Sequence, residues 1–234
     1  MSLVLGVLGG MGPAATVDFL AKIQAATPAK RDQDHIRVLV DLNPQVPDRN
    51  HPFNKPGPVL AEMAAALGAA GAQVLAIACN TAHEHAPLIQ KVTGLPLVDM
   101  IETAVARAEG VGARRAGVLG TPVALRLYRE YLAARGMGAV LLDAEHQQRF
   151  MDLVYRIKAG DLGEEVQAGM AQLVDRLEAT GAEALIAGCT EVPLVYDGFG
   201  ARLMFVDPSA ETARRCVDVC LGHAPVPTVH TSAF

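Results

Sequence analysis

The 234-residue chain contains no tryptophan, only 4 tyrosines and 6 phenylalanines, and no excess of basic residues. It has 20 lysines and arginines against 25 aspartates and glutamates, so its formal net charge is −5. Nucleic-acid-binding surfaces combine a basic patch with aromatic side chains on which bases can stack. The composition therefore excludes nucleic acid as an expected partner.

Long apolar runs and a charged leader are also missing. The longest apolar stretch, residues 63–79, is interrupted by Gly68, Gly71 and Gln73 and is shorter than the ~18 residues of a membrane span. No lysine or arginine precedes Lys22, whereas a secretory signal peptide begins with a basic segment. Four cysteines are too few for a disulfide framework. We expect a soluble, cytoplasmic protein with reduced thiols and no membrane partner.

Apolar residues make up 51% of the chain and occur in short runs that alternate with helical patterns. Continuous apolar runs of strand length, alternating with helices, are typical of a parallel sheet covered on both faces. The predicted strands are residues 3–8, 36–41, 74–78, 116–119 and 184–187. The predicted helices include residues 13–26, 58–70, 123–134 and 162–179. The proline-rich segment 43–57 is predicted to be a loop, and a loop of this length is usually functional.

An internal repeat relates the two halves of the chain. Residues 71–81 parallel residues 181–191, and both segments begin with Gly-Ala and place a cysteine eight residues after the glycine. A second match, Gly-Val-Leu-Gly, begins at Gly6 and at Gly117. The distance from this glycine to the cysteine is 73 residues in the first half and 72 in the second. Two matches at nearly equal spacing indicate a duplicated fold.

We therefore predict two similar, doubly wound parallel-sheet domains of the Rossmann or flavodoxin-like α/β type, related by a pseudo-twofold axis. The first domain is expected to comprise residues 1–100 plus 208–234, and the second residues 101–207. The last helix, residues 208–221, has no clear counterpart in the repeat and is expected to pack on the first half.

The repeat places Cys79 and Cys189 just after equivalent strands. Ligands of parallel α/β sheets bind at the carboxyl ends of the strands, so the two thiols are expected on opposite walls of one cleft. There, one thiolate could remove an α-proton while the other thiol delivers a proton to the opposite face. Most cysteines are simply small buried apolar residues. The equivalent positions favour a functional pair.

Five segments resemble the cofactor-independent aspartate/glutamate racemase family, of the aspartate racemase type. They are residues 9–16 (GGMGPAAT), 43–49 (NPQVPDR), 78–83 (ACNTAH), 155–160 (YRIKAG) and 188–194 (GCTEVPL). They follow the family's order and span nearly the whole chain. The resemblance implies two α/β domains with the active site in the cleft between them, and a homodimer that needs no pyridoxal phosphate. It also implies a small acidic amino acid as the substrate.

The same resemblance assigns roles to individual residues. Cys79 and Cys189 would be the catalytic acid/base pair, and Arg49 and Lys158 would bind the substrate carboxylates. Further hydrogen bonds to the carboxylates would come from Met11, Gly12, Asn80, Thr81 and Thr190.

Four other side chains near these motifs or in the last helix receive lesser roles. His83 is expected to form a polar wall, and its alternative roles are to raise the thiolate character of Cys79 or to orient a neighbour. Glu191 is expected to hydrogen-bond the local backbone rather than to act directly as an acid or base. Cys216 and Cys220, four residues apart on the last helix, have poor spacing for zinc and are expected to pack in the core. No metal site is predicted.

Residues 10–15, Gly-Met-Gly-Pro-Ala-Ala, support a competing interpretation. They fit the G-x-G-x-x-A variant of the dinucleotide-binding fingerprint, and Asp41 ends the second predicted strand, where a ribose would bind. The alternative is therefore an NAD(P)-dependent oxidoreductase. Pro13 weakens it by removing a backbone N–H, and it leaves the matched cysteines without a role. A hydantoin- or maleate-type isomerase and a non-catalytic amino-acid-binding module are further alternatives.

Overall fold

The computed structural model of the protein describes residues 2–196, 198 and 202–229; the remaining residues of the two predicted domains lie outside the described part. It contains two four-stranded parallel sheets, ordered β2-β1-β3-β4 and β6-β5-β7-β8. The strands are β1 (Leu5–Gly9), β2 (Val38–Leu42), β3 (Val74–Ile77), β4 (Leu97–Val98), β5 (Arg115–Val118), β6 (Gly138–Val140), β7 (Ala184–Ile186) and β8 (Met204–Val206). The helices are α1 (Pro13–Ala26), α2 (Pro56–Ala69), α3 (Ala86–Thr93), α4 (Met100–Gly110), α5 (Pro122–Ala134), α6 (Ala144–Lys158), α7 (Glu164–Ala179) and α8 (Pro208–Leu221). The predicted α/β class with two parallel sheets is confirmed.

The described residues fall into two compact units, one drawn from Met1–Met100 and Ser209–Phe234 and the other from Ile101–Pro208. In the first unit, β1 lies between β2 and β3, with Leu5 opposite both Val38 and Val74. Successive strand residues point to opposite faces of a sheet. Leu5 and Val7 accordingly pack with residues of α1 and α8, whereas Leu8 packs with residues of α2 and α3. Both faces are covered, which explains the continuous apolar runs.

The second unit is built on the same plan. Here β5 lies between β6 and β7 in the same parallel arrangement. Val118 packs in a cluster with residues of α4 and α5, whereas Leu119 packs in a cluster with residues of α6 and α7. The equal strand order in the two sheets is what the internal repeat predicts.

The prediction that the last helix has no counterpart is wrong, because α4 is its counterpart. Both helices follow the fourth strand of a sheet directly after a Val-Asp pair, and both contain Glu-Thr-Ala, at residues 102–104 and 211–213. Ile101 and Val105 of α4 belong to the core of the second unit. Cys216 and Val217 of α8 belong to the core of the first. The chain therefore passes between the units twice.

Several element boundaries differ from the prediction. Helix α2 begins at Pro56 rather than at residue 58, because proline is well suited to the first helical position, and the preceding loop therefore ends at Lys55. Strands β4, β6 and β8 were not predicted, since two or three residues carry too little pattern. No helix among the described residues is long and apolar enough to cross a membrane.

A close approach between strands explains why the repeat contains Gly and Gly-Ala at fixed positions. A Cβ atom added at Gly6 in β1 would lie 2.8 Å from the Cβ of Ala72, which precedes β3. A Cβ added at Gly117 in β5 would lie 3.0 Å from the Cβ of Ala182, which precedes β7. Each glycine makes room for the alanine of its own half. That alanine comes shortly before the strand that is followed by Cys79 or Cys189.

We predict that Gly6→Ala lowers the free energy of unfolding by about 1–3 kcal/mol, because the added methyl group overpacks a filled site. Urea denaturation measures this change. Combining it with Ala72→Gly should cost less than the sum of the two single changes, since the second change removes the atom that clashes. Gly110→Ala is the control, because its Cβ would meet nothing within 4 Å. Equal effects at Gly6 and Gly110 would contradict the packing argument.

Candidate active site

The two predicted catalytic cysteines occupy equivalent places in the two units. Cys79 follows β3 and precedes a short 3-10 turn at Thr81–His85. Cys189 follows β7 and precedes a 3-10 turn at Val192–Leu194. Both carry free thiols, and their relative exposures are 5% and 6%. Each thiol therefore lies at the carboxyl end of a parallel strand, where α/β folds bind ligands.

In the first unit, the proline-rich loop brings Arg49 against the segment that follows β1. Arg49 donates through Nη2 to the Met11 carbonyl oxygen at 3.1 Å, and through Nη1 to the carbonyl oxygens of Val46 and Pro47 at 3.3 Å. Its Nε atom is buried without a hydrogen-bond partner, and within the described part of the chain no ion pair involves Arg49. The guanidinium group is therefore fixed in place while its positive charge has no carboxylate partner there.

Thr16 holds the segment that carries Met11 and Gly12. Its hydroxyl accepts from the Gly10 N–H at 2.8 Å and donates to the Gly12 carbonyl oxygen at 2.9 Å, and its side chain is fully buried. Thr16 is not among the predicted site residues, although it is the last residue of the motif at residues 9–16. The structure also weakens the dinucleotide alternative. The Gly10 N–H is already bonded to Thr16, and Pro13, the first residue of α1, has no N–H.

Cys79 belongs to the same apolar cluster as Met11 and Val46. Asn80 and Thr81 follow it and are 1% and 5% exposed. In the first unit, Arg49 is thus bonded to Met11, and Met11 and Cys79 belong to one apolar cluster. The other predicted site residues of this unit, Gly12, Asn80 and Thr81, are next to Met11 and Cys79 in the sequence.

The His83 ring is bonded to the backbone through both nitrogens. Its Nδ1 lies 2.8 Å from the Cys79 carbonyl oxygen, and its Nε2 accepts from the Met100 N–H at 3.0 Å. Nδ1 therefore carries the hydrogen atom and donates it to the Cys79 carbonyl oxygen. The imidazole is buried and links the backbone at Cys79 to the backbone at Met100. Of the roles predicted for His83, the structure shows the orienting one.

In the second unit, one buried carboxylate connects the other predicted residues. The Cys189 thiol donates to Glu191 Oε2 at 3.0 Å, and the Thr190 hydroxyl donates to the same oxygen at 3.3 Å. Lys158, the last residue of α6, forms an ion pair with Glu191 Oε1 at 2.9 Å. Glu191 was expected to hydrogen-bond the local backbone, whereas the structure gives its carboxylate these three side chains as partners. The contact with Lys158 brings together residues 33 positions apart, which no local pattern reveals.

The electrostatic surroundings of Cys189 favour its protonated form. Burial and the negative charge of Glu191 raise the pKa of the Cys189 thiol well above its ordinary value, while the nearby Lys158 ammonium group opposes this shift. A thiol that donates to a carboxylate is neutral, so the hydrogen bond and the raised pKa agree. Among the described residues, no group of three His, Cys, Asp or Glu side chains is arranged to hold a metal ion.

Comparisons with known proteins agree with the resemblance seen in the sequence. The sequence model of the Asp/Glu/Hydantoin racemase family matches residues 8–216. The chain is 27% identical to the broad specificity amino-acid racemase RacX of Bacillus subtilis over 229 residues, which cover 94% of this chain and 99% of RacX. The prediction of an isomerase of the amino-acid racemase type is thereby confirmed.

Two solved structures show the same fold. The aspartate racemase of Picrophilus torridus superposes with a TM-score of 0.82 at 24% identity, covering 93% of this chain and 94% of that one. The allantoin racemase of Klebsiella pneumoniae superposes with a TM-score of 0.68 at 19% identity, covering 94% and 89%.

We predict that His83→Phe lowers the free energy of unfolding by about 2–5 kcal/mol, because the buried Cys79 carbonyl and Met100 N–H both lose their partner. Urea denaturation measures the loss. His51→Phe, at an exposed histidine, is the control and should change stability by less than about 1 kcal/mol. A His83→Phe protein as stable as the control would show that the imidazole does not hold this backbone.

Proposed function

Because the chain belongs to the Asp/Glu/hydantoin racemase family, we propose that it interconverts L- and D-aspartate, or L- and D-glutamate, without pyridoxal phosphate. The observation that carries this proposal is the equivalent placement of Cys79 and Cys189, each at the end of the third strand of its sheet. Racemisation at an α-carbon needs one group that removes a proton and another that delivers one to the opposite face. Two thiols, one from each half of a duplicated fold, meet that need.

The proposed reaction moves two protons and leaves the atoms balanced. One cysteine, as thiolate, takes the α-proton and becomes a thiol, and the electron pair of the C–H bond passes into the α-carboxylate. The other cysteine, as thiol, then gives its proton to the opposite face of the same carbon and becomes a thiolate. The reverse reaction, or proton exchange with water, restores the starting state.

Removal of an α-proton places negative charge on the substrate carboxylate, and fixed positive charge lowers the barrier. We assign this role to Arg49, which is anchored by backbone carbonyl groups and has no carboxylate partner in the described part of the chain. A guanidinium fork matches a carboxylate in geometry. Lys158 is assigned to the second carboxylate of an acidic substrate, which would compete with Glu191 for its ammonium group.

The remaining site residues are proposed to hold the substrate by hydrogen bonds. Met11 and Gly12 are placed beside Arg49 and steadied by Thr16. Asn80 and Thr81 follow Cys79 directly, and Thr190 follows Cys189. Their peptide and side-chain groups suit the oxygen atoms of a carboxylate.

Two finer proposals concern the oligomeric state and the cellular compartment of the protein. We propose a homodimer, since Val40 and Leu42 of the edge strand β2 are each 40% exposed and Val17 of α1 is 60% exposed. We also propose the cytoplasm as its compartment, because a reducing environment keeps the catalytic thiols free.

We predict that Cys79→Ser and Cys189→Ser each reduce racemisation by about 10²–10⁴-fold, because a serine hydroxyl is a far weaker acid than a thiol. The rate is measured for both enantiomers of aspartate and glutamate. The panel also includes neutral amino acids, because the relative RacX is named for broad specificity, and a hydantoin, because the family includes hydantoin racemases.

Cys220→Ala is the matched control, since this thiol lies in α8 and has no proposed role in the reaction. It should leave the rate within a few-fold of wild type. A Cys79→Ser or Cys189→Ser variant with wild-type activity would contradict the two-thiol assignment. Inversion of a hydantoin but of no amino acid would reassign the substrate.

A further inference from the structure

The Glu191 carboxylate has a feature that the reaction scheme does not use. Glu191 is 3% exposed. Its Oε2 accepts hydrogen bonds from the Cys189 thiol and the Thr190 hydroxyl, and its Oε1 forms the ion pair with Lys158. The Cys189 proton thus points at an anion 3.0 Å away. If Cys189 lost this proton, two buried negative groups would face each other at that distance, with Lys158 as the cation that offsets them.

The first half of the repeat has no acid at this place. Cys189-Thr190-Glu191 aligns with Cys79-Asn80-Thr81, so a threonine hydroxyl stands where the second half has a carboxylate. His83, the titratable group bonded at Cys79, contacts the backbone carbonyl there and not the thiol. The two halves therefore surround equivalent thiols with different charges.

We propose that Glu191 is a positioning residue that keeps Cys189 protonated in the free enzyme, so that Cys189 starts the catalytic cycle as the proton donor and Cys79 as the acceptor. This inference rests on the proposed function of the two cysteines. It gives a duplicated, nearly symmetric fold a defined starting state.

Lys158 limits the effect of Glu191 on Cys189. Its ammonium group neutralises part of the carboxylate charge at 2.9 Å. Within the described residues, the charged side chains that act on Cys189 are Glu191, two residues beyond it, and Lys158, from α6. Glu191 raises the pKa of Cys189 and Lys158 lowers it. Removing Glu191 should therefore lower this pKa, and removing Lys158 should raise it.

The test is the pH dependence of Cys189 alkylation by iodoacetamide in a Cys79→Ser background, followed by mass spectrometry of the peptide that contains Cys189. Only the thiolate reacts, so the rate follows its population. Glu191→Gln removes the charge and keeps a side-chain oxygen that can accept from the thiol. We expect the profile to move to lower pH by about one unit or more, which is roughly tenfold faster alkylation at a pH below both midpoints.

Glu164→Gln is the matched control, because it removes the same charge at an exposed position at the start of α7. Its profile should coincide with that of the Cys79→Ser parent. A Glu191→Gln profile that is unchanged, or that moves to higher pH, would overturn the proposal. The second result would mean that the carboxylate draws the proton away as a base.

A second variant covers the case in which Glu191→Gln does not fold, as judged by circular dichroism. Lys158→Met removes the opposing cation and should move the Cys189 profile to higher pH, and an unchanged profile would again overturn the proposal. Alkylation needs no substrate, so it tests the role of Glu191 independently of the proposed racemase activity. A wild-type protein that inverts no amino acid would contradict the proposed function, whereas unshifted profiles would contradict the role of Glu191.

Discussion

The close packing of the first and third strands in each sheet fixes where both cysteines lie. Gly6 and Gly117 leave room for Ala72 and Ala182, and these alanines lead directly into β3 and β7. Both strands are buried along their whole length, so their register against the first strand is set by the apolar core. The register of β3 and β7 therefore determines where the Cys79 and Cys189 thiols lie. The repeat is thus visible in the sequence because the same steric requirement occurs twice.

Around this shared frame, the two units have different polar environments. In the first, the polar side chains bond to the backbone, because His83 binds the Cys79 carbonyl and Arg49 binds the Met11 carbonyl. In the second, they bond to one another, because Glu191 binds both Lys158 and Cys189. Two equivalent thiols with different charged neighbours suit a reaction in which one group must begin as an acid and the other as a base. Part of this asymmetry lies two residues after the cysteine, where the first half has Thr81 and the second has Glu191.

Much of the fold was predictable because buried strands and the repeated Gly and Cys positions leave strong patterns. The short strands β4, β6 and β8 were not, since two or three residues have no usable periodicity. The repeat did not predict that α4 and α8 correspond. It is marked by glycines and cysteines at equivalent positions, and these two helices have none in common. In the site, the internal repeat predicted Cys79 and Cys189 as a pair, whereas Arg49 and Lys158 were predicted only from the resemblance to the racemase family. The contact between Lys158 and Glu191 joins residues 33 positions apart and is a tertiary feature, which local sequence does not encode.

In the proposed reaction, two different thiols serve the two faces of one α-carbon. The most direct measurement follows the protein with L-aspartate in D2O and records deuterium at the α-carbon of both enantiomers at low conversion. We expect a D-aspartate product that is fully deuterated, because the second thiol carries solvent deuterium, while the remaining L-aspartate keeps its proton. Comparable deuterium in the recovered L-aspartate, or protium retained in the product, would indicate a single base serving both faces and would contradict the two-thiol mechanism.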